Sequence, residues 1–190
     1  MAAMTGERSA PGGLRRVHVR LLAQADRLLG LTEEPAERLW RPVERVSAWS
    51  VGQHVEHLML ANRAVLDRLE QLMAGQAPSA GGISLAGRVV LRLNYIPRGR
   101  ARATTPLQPK STSAEELRGG WLTVRRRLAE LGPRLGEVQA ARGTFRHLVF
   151  GGLDARQWVR FLEVHNHHHL KIVRDIQQAP ARPGGGGEGR

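Results

Sequence analysis

Four of the eight histidines of this chain fall inside five residues, His165-Asn166-His167-His168-His169. His165 and His169 are four apart, so on a helix they stand one turn above the other on one side. That side is apolar. At about 100° per residue, Trp158, Phe161, Leu162, His165, His169, Ile172, Val173 and Ile176 all lie within roughly 60° of one stripe centre. Imidazoles facing a core need a partner, and a metal ion is one, because neutral imidazole is the commonest protein metal ligand. An ordinary hydrogen-bonded core histidine is the plainer alternative, since i, i+4 pairs also arise by chance. A frayed, solvated histidine run is opposed by Ile172, Val173 and Ile176, which carry the buried face onward. His167 points to the opposite side, toward solvent, and His168 sits at the edge of the stripe, at the surface or behind a ligand rather than on a metal.

A third ligand must come from a facing helix. His54 and His57 lie on one candidate, and relative to Leu58 they sit about 40° and about 100° off the apolar centre. Periodicity therefore favours His54. Two ligands one turn apart and one from a neighbour leave a divalent ion with an open position, which is what a catalytic site requires. Such an ion lowers the pKa of bound water toward about 7, giving hydrolysis, or keeps a bound thiolate nucleophilic, giving transfer or isomerisation.

The elements that must position these residues are helical. Leu14, Val17, Leu21, Leu22, Leu28 and Leu29 predict a first helix from about Leu14 to Gly30. A short turn follows near Ala36 to Trp40. Ser50 with Gln53 three residues on forms a capping-box pattern that starts a second long helix, running to about Ala74. Gly75 to Ser111 is punctuated by Gly81-Gly82, Pro97, Pro106 and Pro109, with a helical repeat over Ile83 to Tyr95. Ser113 with Glu116 starts a third long helix that stops at Gly132-Pro133. The segment Gly143 to Leu153 reads as a loop, and Asp154 caps a last helix to about Gln178. No alternating strand pattern stands out. The expected fold is all-α, a four-helix bundle with a long irregular crossover between the second and third long helices.

Residues 14–178 are expected to form one domain between disordered tails, 1–13 and the glycine-rich 179–190. The absence of cysteine excludes disulfides, thiolate zinc sites and cysteine nucleophiles, so any metal must take nitrogen or oxygen ligands. No apolar run approaches the roughly 18 residues of a bilayer span, and no signal-peptide core precedes the first helix. A cytoplasmic protein with no membrane partner is expected. The net charge of +12 raises nucleic-acid binding. Against it, all but two of the 29 basic residues are arginines, as in a GC-rich coding sequence, and they are scattered. The densest run, Arg98-Gly-Arg-Ala-Arg, has no aromatic residue interleaved for base stacking.

The segment Trp49-Ser-Val-Gly-Gln-His-Val-Glu-His57-Leu58 resembles the second-helix motif of the DinB/YfiT-like metalloenzyme superfamily: Trp-Ser/Thr, six residues, then histidine and an apolar residue. His165-Asn-His-His-His169-Leu is similar to that family's His-x-x-x-His helix. His147-Leu-Val-Phe-Gly151-Gly-Leu153 through Trp158 looks like the aromatic-Gly-x-Leu-x-x-x-x-Trp lead-in of one branch. Ile96-Pro-Arg-Gly99 and Pro106 resemble its Arg-Gly and proline-rich crossover. The likeness spans most of Leu14 to Gln178. It implies an up-up-down-down bundle and a divalent ion, commonly zinc or nickel, held by His57, His165 and His169. The resemblance thus prefers His57 where periodicity prefers His54, and leaves His54 or His168 as a partner behind the ligands or a fourth member of the shell. It also implies a small-molecule substrate, a low-molecular-weight thiol as co-substrate in several relatives, and frequent homodimerisation.

The expected function is accordingly a metal-dependent thiol transferase or isomerase, or a hydrolase. The alternative is a non-catalytic metal-binding or stress-response module with a structural metal and a closed four-ligand shell. Glu56 and Glu163 read as surface carboxylates, His147 as a solvated loop residue, His18 as a packing residue, and Trp49, Trp121 and Trp158 as core anchors. No phosphate loop, Ser-His-Asp arrangement or nucleotide fingerprint is evident.

Overall fold

A computed structural model describes residues 12–98 and 105–180. The expected tail over residues 1–11, the tail beyond Pro180 and most of the Arg98–Arg102 cluster lie outside the described residues. Four long helices dominate: α1 (Gly12–Leu31), α3 (Val51–Met73), α5 (Ala114–Leu131) and α7 (Ala155–Gln178). Shorter ones intervene: α2 (Ala36–Leu39), α4 (Leu85–Leu93), a 3-10 turn (Thr105–Leu107) and α6 (Leu135–Ala140). Helix α1 starts at Gly12, so the end of the expected N-terminal tail is already helical.

Three of the long helices begin where side-chain oxygens replace missing backbone acceptors. Ser50 with Gln53, Ser113 with Glu116, and Asp154 with Gln157 each form a complete capping box. These caps fix the start of each helix and hence which residues face inward. Fully buried Leu21 and Leu28 from α1, Leu58 and Leu69 from α3, Leu117, Trp121 and Leu128 from α5, and Leu162 and Val173 from α7 meet in one core. The packing order around the bundle is α1, α5, α3, α7, so α1 and α3 face each other across the diagonal. The indole of Trp121 donates to the Val55 carbonyl at 3.1 Å, tying α5 to α3. Between α3 and α7, buried Asn62 donates to the Asn166 side-chain carbonyl at 2.8 Å. That pair fixes the register of the two helices that carry the histidines, because a slip would leave buried amides unpaired.

Two segments depart from expectation. Helix α6 was not foreseen; Leu135 and Val138 give it a buried side just beyond the Gly132-Pro133 break. The stretch expected to be a loop forms a small antiparallel hairpin, β1 (Phe145–His147) with β2 (Gly151–Leu153), His147 opposite Gly151. The chain is therefore mostly helical rather than wholly so. The crossover runs beside this hairpin, with Ser84 N–H on the Phe150 carbonyl at 2.8 Å and Gly152 N–H on the Gly82 carbonyl at 3.0 Å. Glycine is needed there: Gly151 has φ +76°, and a Cβ on Gly152 would lie 2.1 Å from the Gly81 carbonyl oxygen. Sequence alternation misses so short a strand pair, whose pairing is made by backbone and not by a side-chain face. Among the described residues, no helix is long and apolar enough to cross a membrane.

Candidate metal centre

His57 on α3 and His165 and His169 on α7 converge. One ring nitrogen from each lies within 4.8 Å of the others. His57 and His169 are buried and His165 is half-buried. His57 Nε2 and His165 Nε2 face each other at 3.3 Å. Two imidazoles bonded to one tetrahedral zinc ion at about 2.0–2.1 Å place their nitrogens about 3.3 Å apart. The spacing of this pair fits a shared ion without rearrangement. Three neutral nitrogen donors also suit zinc or nickel better than magnesium or calcium, which prefer oxygen.

The tautomer of His57 follows from its neighbour. Its Nδ1 lies 2.7 Å from the Leu107 carbonyl oxygen. A carbonyl only accepts, so Nδ1 carries the hydrogen and Nε2 presents its lone pair to the cluster. Leu107 closes the 3-10 turn of the crossover, and buried Glu56 holds the crossover beyond it. The Glu56 carboxylate accepts from the backbone N–H groups of Lys110 and Ser111 at 2.9 Å and of Thr112 at 3.3 Å. The expectation of a surface Glu56 is thus wrong. The charge is buried because three peptide donors surround it.

His54 stands behind His169. Its Nδ1 faces His169 Nδ1 at 2.9 Å, and its Nε2 lies 2.9 Å from Ser47 Oγ. Ser47 Oγ in turn accepts from the Trp49 backbone N–H at 3.0 Å. Both nitrogens of His54 are therefore engaged, and it is not a member of the three-histidine group, contrary to the periodicity preference. A helix-wheel angle does not distinguish a ring in the cluster from one beneath it, because both positions are buried. His165 differs from its partners: its Nδ1 is buried without a hydrogen-bond partner among the described residues. Phe161 stacks on its ring, with centroids 5.2 Å apart and planes 14° from parallel. A cation at Nε2 would sit between this nitrogen and the His57 lone pair, whereas the orphaned Nδ1 would keep its hydrogen and stay unpartnered among the described residues.

All four rings are biased toward the neutral form. Burial is the largest cause throughout; it holds His57 below the ordinary 6.5 and drives His165 and His169 well below it, the last two also through repulsion from neighbouring histidines. His54 is lowered to about 3, by burial and then by His57. Neutral rings keep their lone pairs available near neutral pH.

Trp49 was expected in the core and is instead a wall of the site. Its ring centroid lies 5.3 Å from that of His54 and 5.1 Å from that of His57, and it stacks over His169 at 6.3 Å. Trp121 and Trp158 are the buried anchors expected. His18 packs as foreseen and bonds the Leu128 carbonyl through Nε2 at 2.7 Å. His147 is half-buried rather than solvated. Its Nδ1 accepts from Val149 N–H at 3.2 Å and Phe150 N–H at 3.3 Å, its ring stacks on Phe150, and burial lowers it to about 4. His168 lies outside the three-histidine group, lowered to about 4 by burial first and Arg98 next, and bonded to the Ile96 backbone. His167 is half-buried, not free in solvent. Glu163 is also buried, contrary to expectation, and forms ion pairs with Arg20 and Arg160. The Leu107 carbonyl, Ser47 and the stacking role of Phe161 escaped the sequence reading. A backbone acceptor leaves no trace in residue type, and nothing marks Ser47 as reaching His54.

A family model described as the DinB superfamily matches residues 15–173. Among curated proteins and among solved structures, nothing matches the chain.

Proposed function

The chain belongs to the DinB superfamily, and from that premise we propose that it is a divalent-metal-dependent enzyme whose ion, zinc or nickel, is held by His57, His165 and His169. The observation that carries this reading is the 3.3 Å approach of two Nε2 atoms in a group that, among the described residues, gathers three imidazoles and no carboxylate. Bound there, the ion would supply an electrophilic open position that acidifies a water or a small-molecule thiol. The chain's own residues do the rest. The Leu107 carbonyl fixes the His57 tautomer. With ligation through Nε2, His169 keeps a hydrogen on Nδ1 and donates it to His54, whose own hydrogen then sits on Nε2 and donates to Ser47. Trp49 and Phe161 wall the cluster with aromatic faces and reduce the access of bulk water.

The chemistry is of the thiol transferase or isomerase type, or of the hydrolase type, on a small-molecule substrate. A chain without cysteine must take its thiol from a separate low-molecular-weight molecule. The DinB-like path up-up-down-down is supported by the diagonal placement of α1 and α3, which consecutive antiparallel neighbours would not show. Homodimerisation and a cytoplasmic location belong to the same reading. The rival, a structural metal in a closed shell, needs a fourth protein ligand. His54 has both nitrogens occupied and His168 lies outside the three-histidine group, which favours the open site.

The test is elemental analysis of untagged protein purified without a nickel column, for the wild type and for His57→Ala, His165→Ala and His169→Ala. Near-stoichiometric metal in the wild type and none in the variants is expected. A wild type that neither retains nor takes up metal would end the proposal. Thiol-exchange and ester-hydrolysis assays on loaded protein then separate the two reaction types.

A further inference from the structure

The surface carries a second feature that the metal centre does not use. Among the described residues, five of the eight exposed large apolar side chains lie on α4 and on the hairpin turn beside its start: Leu85, Val89, Leu93, Leu148 and Val149. Leu85 and Leu148 are each 78% exposed. The first three recur at i, i+4 and i+8 on α4, opposite the side that buries Gly87 and Leu91. Leu148 and Val149 form the tip of the hairpin turn. Hydrogen bonds from Ser84 to the Val149 and Phe150 carbonyls join that turn to the start of α4. Two elements thus present apolar tips side by side. Buried residues on the same helix would have sufficed to pack it, so the outward stripe needs its own account.

Along the segment that carries α4 the charge is of one sign. Residues 71–114 contain no Asp or Glu. Between α4 and α7 runs a groove of about 440 Å³ lined by Arg88, Arg92, Arg156 and Arg160 over Ile83 and Leu91. Its one carboxylate, Asp154, already caps α7 and pairs with Arg156. Arg160 is engaged by Glu163 and the Leu91 carbonyl. The guanidinium groups of Arg88 and Arg92 have no partner among the described residues. A second copy of this chain fits the face poorly: a two-fold contact along α4 would set Arg88 and Arg92 against the same arginines of the copy.

We infer that the exposed face of α4 and the tip of the β1–β2 hairpin dock the protein peripherally on an acidic lipid surface. Leu85, Val89, Leu93, Leu148 and Val149 enter the headgroup boundary, while Arg88 and Arg92 meet lipid phosphates. Separate leucine and valine tips on two elements suit a fluid interface, which needs no shape match. The net charge of +12 supplies the long-range attraction. Helix α4 lies on the surface and spans nothing, so the finding that no helix among the described residues is long and apolar enough to cross a membrane does not bear on it.

The test is flotation of the full chain with phosphatidylcholine vesicles, with and without phosphatidylglycerol, in metal-free and metal-loaded protein alike. The docking face is separate from the histidines, so failure of the metal proposal leaves the result readable. Binding only to the acidic vesicles is expected. Leu85→Ser with Leu148→Ser should weaken it at least about tenfold, and Arg88→Gln with Arg92→Gln by a similar factor. All four positions are exposed, so the melting curves should match the wild type. The control is Arg15→Gln with Arg16→Gln on α1, which removes the same charge elsewhere. An equal loss in that control would reduce the effect to generic charge attraction and overturn the inference. So would absence of binding to acidic vesicles, or a dimer in sedimentation that the leucine substitutions dissociate.

Discussion

Glu163 and His165 are two residues apart on α7, both pointing into polar clusters, and the clusters are built on opposite principles. Around Glu163 the carboxylate is answered: Arg20 and Arg160 pair with it, and Gln24 donates to the Glu163 backbone carbonyl at 3.1 Å, leaving its own side-chain oxygen without a partner among the described residues. Around His165 the groups are of one kind, neutral and electron-rich, with a buried nitrogen left unpaired. An ion-paired cluster holds helices together. A cluster of neutral imidazoles holds binding capacity, because an added cation would take the lone pairs that His57 and His165 turn toward each other at 3.3 Å. The contrast sets a polar site built from opposite charges against one built from like, neutral donors.

The sharpest way to break this contrast is to exchange the consequences. His165→Ala should abolish near-stoichiometric metal uptake while changing the stability of the metal-free protein by no more than about 1 kcal/mol, since it removes a ring that was only partly satisfied. Elemental analysis and denaturant melts read both. Glu163→Ala should do the reverse. It should cost about 1–3 kcal/mol and leave metal stoichiometry intact. The figure is below that of a fully buried pair because Arg20 keeps half its side chain in solvent and can turn outward. If Glu163→Ala empties the metal site in a protein that remains folded, the two clusters are one unit and the comparison fails.

A smaller effect sharpens it. His54→Ala leaves all three ligands and removes the acceptor behind His169, so metal affinity should fall about 10–100-fold with stoichiometry kept at saturating metal. Competition with a chromophoric chelator measures it. An unchanged affinity would show that the 2.9 Å contact between the two Nδ1 atoms does not orient the ligand. The smallest effect is a pH slope. His147 is held near 4 chiefly by burial, against an ordinary 6.5. Below pH 6.5 the unfolded chain binds a proton that the fold refuses. Stability is therefore complete above that pH and declines as pH falls toward 4, by about 1–2 kcal/mol at pH 5. His147→Gln should remove this part of the slope in metal-free protein.

The starts of α3, α5 and α7 are legible in the sequence because a capping box is a local device: both partners lie within four residues and the backbone does the rest. The His165–His169 pair is legible for the same reason. Helix α6 and the hairpin are not, since one is too short for periodicity to register and the other is held by backbone pairing with a distant crossover. Glu56 and Glu163 mislead. Composition places carboxylates on surfaces, and only the fold brings three peptide N–H groups to one and two arginines to the other.

What the residues settle by themselves is periodic or local: an apolar stripe interrupted by imidazoles, three capped helices, no thiol, an excess of arginine. What periodicity leaves open, and the family motif answers only by likeness, is which histidine of α3 joins the pair on α7; the physical reason lies in the tertiary structure. His54 and His57 both face inward, and a wheel drawn for one helix holds no position for its neighbour. The choice is made where α3 meets α7, with the Asn62–Asn166 pair setting the register and the Leu107 carbonyl turning the His57 ring. Convergence of three nitrogens on one point is a property of distances between helices, and chain order does not contain those distances.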